Sequence, residues 1–108
     1  MFETCTTVLE TARVSVPSSA ATTLGNMLNT ANGAGTSAVT SVPKNTRRLT
    51  LRNIGSNNIY FHKGTATTNF PYLAAGESIT LYIHQTLIDQ LTFIAATSAT
   101  NMAVIMEG

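Results

Sequence analysis

The chain has 108 residues, of which 10% are charged, and its formal net charge is +1. This length suits one ordinary domain, the single Cys provides neither an internal disulfide framework nor a zinc site, and the apolar runs fall far short of the roughly 20 residues that span a bilayer. Thr and Ser together number 27, which gives a neutral, hydroxyl-rich surface poorly defended against association and points to a chain that works within an assembly.

Met1 to Thr4 has no basic or apolar leader pattern, so no secretory signal is expected. Thr6-Thr7-Val8-Leu9 and Ala12-Arg13-Val14-Ser15-Val16 have strand character, and Pro17 ends the pattern. Residues 1–17 are assigned to an extended N-terminal arm. From Ser18 to Asn32, the residues Ala20, Ala21, Leu24, Met27, Leu28 and Ala31 fall at helical spacing. This predicts one short helix over about residues 19–31, with Ser18 or Ser19 as its cap and Asn32-Gly33 as its stop. Gly33 to Val42 reads as a small-residue loop, and residues 18–46 form a second segment.

Residues 47–108 hold 17 of the 26 Leu, Ile, Val and Phe residues, so most of the core is expected there. In Arg47-Arg48-Leu49-Thr50-Leu51-Arg52-Asn53, Leu49 and Leu51 alternate with Arg48, Thr50 and Arg52, which is strand periodicity. Ile54-Gly55-Ser56-Asn57-Asn58 reads as a tight hairpin turn, since Gly and Asn tolerate positive φ. Ile59 to Lys63 is then the returning strand, with Ile59 and Phe61 inward. Gly64 to Asn69 is a polar loop. Phe70 to Leu73 is extended, because the residue before Pro71 avoids helix. Ala74 to Glu77 is a turn. Ser78 to His84 alternates, with Ile79, Leu81 and Ile83 on one face. Leu87 to Gln90 is a connection with one helical turn. Leu91 to Ala96 and Met102 to Glu107 are strands around a turn at Thr97 to Asn101. Short strands without long intervening helices predict an all-β fold, an antiparallel β-sandwich or jelly-roll-like barrel whose main body is residues 47–108.

The charges are segregated. All six Lys and Arg lie within residues 11–76, and all five acids lie outside that range. The positive stretch reads as a patch for phosphate, as a solvated strand face, or as ion-pair partners for acids of the same or a neighbouring subunit. Nucleic-acid readers concentrate positive charge far more and interleave aromatics for stacking, so nucleic acid is not an expected partner. His62 and His84 have no third His and no acidic cluster to complete a metal site. Cys5 has nothing nearby to lower its pKa. No carboxylate pair offers acid–base chemistry. No catalytic residue, metal or cofactor is expected, and the chain does not read as an enzyme. Tyr60 and Tyr82 alternate away from the core positions, as either an interface pair or ordinary cross-strand packing.

One pattern extends beyond residue chemistry. A basic-apolar stretch from Val42 to Phe61 contains Asn53-Ile54-Gly55. Leu73-Ala74-Ala75-Gly76-Glu77 then leads into Ser78-Ile79-Thr80-Leu81. Phe93-Ile94-Ala95-Ala96 follows, and Val104-Ile105-Met106-Glu107 closes the chain. This succession, over residues 42–108, resembles small virion β-sandwich proteins of tailed bacteriophages. The resemblance implies a virion structural role and supplies no catalytic residues; within that role the leading expectation is a capsid decoration or cement protein that binds the outer head surface and bridges capsomers. The partners it implies are the major capsid protein and further copies of the chain, with a trimer favoured and no membrane. The implied location is the virion, after synthesis in the bacterial cytoplasm. The contact residues expected are Phe2, Thr4 and Val8 of the arm, and Arg47, Arg48 and Arg52 facing an acidic capsid surface, with Tyr60 and Tyr82 as interface aromatics. Two alternatives stand beside this reading. One is a minor head–tail or tail structural protein. The other is a carbohydrate- or receptor-binding β-module using Tyr60, Tyr82 and Asn58.

Overall fold

Burial with period 2 organises the chain. From Arg48 to Asn53, Leu49, Leu51 and Asn53 are buried while the residues between them are not, and the same alternation recurs at Met102, Val104 and Met106. The computed structural model describes residues 8–108. In chain order the elements are β1 (Val8–Val16), β2 (Thr22–Thr23), α1 (Leu24–Ala34), β3 (Arg48–Asn53), β4 (Ile59–Lys63), β5 (Tyr72–Leu73), β6 (Ser78–Leu81), α2 (Gln85–Ile88), β7 (Leu91–Ala95) and β8 (Thr100–Glu107).

The strands form two four-stranded antiparallel sheets, ordered β1-β8-β3-β6 and β2-β7-β4-β5. The pairs β1·β8, β2·β7, β3·β6 and β4·β5 are those of one long hairpin rolled over on itself. That is jelly-roll connectivity, so the all-β antiparallel sandwich expected from the sequence is the fold. The first sheet contributes Val14, Val16, Leu49, Leu51, Met102, Val104 and Met106 to the core, and the second contributes Ile59, Leu73, Phe93 and Ala95. Phe93 is fully buried, and a side chain of that kind contributes about 2–3 kcal/mol by burial. α1 closes one end of the sandwich, burying Leu24, Met27, Leu28 and Ala31 against β1, β2 and β7.

Several expectations need correction. The helix begins at Leu24, five residues later than the spacing suggested. Thr22 and Thr23 instead pair with Phe93 and Thr92 of β7, and the Thr23 hydroxyl caps the helix by accepting from the Asn26 amide at 3.3 Å. The helix ends at Gly35, whose φ of 83° is left-handed and whose amide reaches the Ala31 and Asn32 carbonyls. The N-terminal segment is extended, but residues 8–16 are not an arm outside the body. They form the edge strand of the chain's own first sheet, because Val14 and Val16 are core residues. The main body therefore begins before residue 47. β6 ends at Leu81, short of the expected His84.

The segment 54–58 is not a hairpin turn, since β3 and β4 lie in different sheets. Gly55 does not have positive φ. It is required by proximity: a Cβ there would lie 1.7 Å from Thr100 Oγ1. Asn53, fully buried, fixes this crossover. Its side-chain amide donates to the Asn57 carbonyl at 2.6 Å and the Leu73 carbonyl at 2.9 Å, and its Oδ1 accepts from the Gly55 amide at 3.0 Å. Its backbone amide donates to the Glu77 carbonyl, and its carbonyl accepts from the Gly76 amide. Asn53-Ile54-Gly55 and Leu73-Ala74-Ala75-Gly76-Glu77 are thus two halves of one structural junction joining the sheets.

Candidate functional site

The residues with potential chemistry serve local structure. His84 caps α2, with its Nδ1 accepting from the Thr86 amide at 3.3 Å. His62 stacks on Phe70, with centroids 3.7 Å apart and planes 8° apart. The Glu77 carboxylate accepts from the Ala74 amide at 2.6 Å. Among the described residues, no group of three or more His, Cys, Asp or Glu is placed to hold a metal. Also among them, no helix is long and apolar enough to cross a membrane. A groove of about 270 Å³ between β1, β2 and α1 is lined by Ser15, Pro17, Thr22, Asn26, Met27 and Thr30. None of these six side chains titrates near neutral pH.

The outer face of the first sheet is the distinctive surface. Side chains that alternate with the core point outward in rows set by strand register. Thr11 is opposite Ile105, which is opposite Thr50, which is opposite Thr80. Arg13 is opposite Ala103, which is opposite Arg52, which is opposite Ser78. The Thr50 and Thr80 hydroxyls bond at 3.1 Å. Ile105 is 37% exposed near the centre of this face, and Tyr82, just after β6, is 75% exposed.

Charge on this face is divided between a compensated pair and two separate arginines. Arg48 donates from Nε and Nη2 to the two Glu107 oxygens at 2.7 and 2.8 Å, the bidentate geometry that guanidinium and carboxylate favour. The hydrogen bond to Glu107 raises the Arg48 pKa above its ordinary value, and burial opposes the rise. The Arg48 guanidinium also sits 5.9 Å from the Tyr82 ring centroid, within cation–π range. Of the roles open to Arg48, an ion pair within its own subunit is the one that forms. Arg13 and Arg52 are exposed and have no acid partner among the described residues.

The expected contact residues therefore fall in different places. Arg52 is on the outer face of the first sheet. Arg48 is there too, but its charge is compensated. Arg47 is exposed just before β3, where its amide donates to the Glu107 carbonyl at 2.8 Å. Val8 is 55% exposed at the start of β1. Phe2 and Thr4 lie outside the described residues, as does Cys5. Tyr60 and Tyr82 are not brought together: β4 belongs to the second sheet, and Tyr82 follows β6 of the first. Tyr60 packs instead on Tyr72, at 5.2 Å between centroids. The grouping of Tyr60, Tyr82 and Asn58 into one platform is not formed. Arg13 was missed as a contact candidate, although its alternation with Val14 marks it as outward. No known family model matches this sequence, and no curated protein matches it significantly.

Proposed function

We propose that this chain is a bacteriophage virion structural protein, a capsid decoration or cement protein that binds the outer head surface as a homo-oligomer, with a trimer favoured. The observation that carries the reading is the outer face of the first sheet, which no other described segment covers. It presents Thr, Ser, Ala and Ile side chains with two arginines that have no acid partner among the described residues. Such a face suits contact with another protein better than chemistry on a small molecule. Jelly rolls recur in capsid and lectin domains, but a fold is compatible with many functions, so this adds only support by analogy. The resemblance over residues 42–108 supports the same class. Attachment repeated by symmetry gains avidity from individually weak contacts.

The test is cryo-EM and quantitative mass spectrometry of purified phage particles from the bacterial host. Density on the outside of the head, at a copy number that follows the capsomer count, is expected. A few copies at the tail axis would move the chain to the head–tail or tail class. Absence from particles would overturn the reading. Deleting residues 2–16 is a poor probe of attachment, because it removes the whole of the edge strand β1, which carries Val14 and Val16.

A further inference from the structure

Two arginines stand in one row, two strands apart. Arg13 is in register with Ala103, and Ala103 with Arg52. Val14 is buried on one side of Arg13, and Leu51 and Asn53 are buried on either side of Arg52, so both guanidinium groups project from the outer face. Two interstrand spacings separate their backbones by about 10 Å. Among the described residues, only the Ala103 methyl lies between them in this row, so the floor is shallow. The carboxylate on this face, Glu107, is held by Arg48. The adjoining row of Thr11, Ile105, Thr50 and Thr80 carries no charge.

We propose that Arg13 and Arg52 clamp the carboxylate side chains of an acidic protein segment lying across Ala103, with Ile105 making the neighbouring apolar contact. This rests on the attachment reading for the partner being a protein, and adds the face and the chemistry of recognition. Charge complementarity selects the occupant, because the face offers two guanidinium forks and keeps its acid paired. Each fork matches a carboxylate bidentately. A phosphate polymer is disfavoured on number, since strong salt-linked binding draws on about 6–10 phosphate contacts. It is also disfavoured on stacking, since the aromatic on this face, Tyr82, lies by Arg48 instead.

The experiment titrates the full chain with poly-L-glutamate at low salt and compares two charge-matched double variants. R13Q/R52Q removes the proposed clamp. K44Q/K63Q removes two exposed cations elsewhere. Wild type is expected to bind, with amide shifts concentrated at residues 11–15, 50–52 and 101–105. R13Q/R52Q should weaken binding roughly tenfold, as two exposed charge pairs imply, while K44Q/K63Q should stay within about twofold. Arg52→Lys, which retains charge without the fork, should fall between wild type and the arginine double variant, and it serves if the double variant fails to fold. Equal weakening by both doubles, tighter binding of oligo-dT than of poly-L-glutamate, or no binding would overturn the proposal. Absence of the wild-type chain from phage particles would instead overturn the attachment reading while leaving the titration result intact.

Discussion

In the second sheet, the outward side chains meet the chain's own connection between β4 and β5. Phe70 stacks on His62, Ala66 is 2% exposed, and its amide donates to Thr92 Oγ1 at 2.8 Å. The Thr92 hydroxyl donates in turn to the Gly64 carbonyl. In the first sheet the outward rows of β1, β8, β3 and β6 have no such cover among the described residues, and Ile105 and Tyr82 remain exposed. The strands differ in the same direction. The edge strands of the second sheet are two residues each, β2 and β5, whereas β1 has nine residues. The contrast teaches that one sheet spends its outer side chains on holding the fold, while the other leaves most of them uncovered by any described residue.

Three substitutions would break or sharpen that contrast. The largest effect is expected at Asn53, which ties the first sheet to the Leu73 carbonyl of the second. Asn53→Ala should cost about 3 kcal/mol, because one buried and two part-buried partners lose their hydrogen bonds together. Urea unfolding reads this directly, and a loss below about 1 kcal/mol would mean that the junction does not couple the sheets. Next comes Phe70→Ala, which strips the cover from His62. A loss of about 1 kcal/mol is expected, with faster exchange of the Ala66 amide that donates to Thr92. Unchanged exchange would show that the loop holds without the stacked pair. The smallest effect belongs to the bare face. Ile105→Thr keeps β-branching and should change stability by less than about 0.5 kcal/mol. A larger loss in thermal melting would make Ile105 part of the fold and weaken the case for a surface left to a partner.

Much of this architecture was legible in the sequence where the information is local. Alternation marked Leu49 and Leu51 as inward and Thr50 and Arg52 as outward, and Met102 to Glu107 as a strand. The helix was visible from its apolar spacing, but its start was not. Ala20 and Ala21 fit the helical pattern, while the event that excludes them is pairing of Thr22 and Thr23 with β7, some seventy residues away. The crossover at 54–58 was hidden for the same reason, because Gly55 answers to Thr100 rather than to its own φ. The candidate surface was only partly legible. Arg52 followed from period 2, but the Arg48–Glu107 pair spans 59 residues of sequence, and no local pattern shows that β8 places Arg13 and Arg52 in one row.

The position of β8 has a consequence for how the molecule comes into being. It follows every other strand in the chain, yet it lies between β1 and β3 in the first sheet. Apart from a single bridge between Ala12 and Ser37, β1 has no other strand partner among the described elements, so its ladder must wait for residues 100–107. Folds built on such distant pairings close slowly, since loop entropy is lost before contacts compensate for it. During synthesis the row Arg13–Ala103–Arg52 cannot exist until its middle member has been made. A growing chain thus lacks the arginine row, and the docking of β8 completes the sheet and that surface in one step.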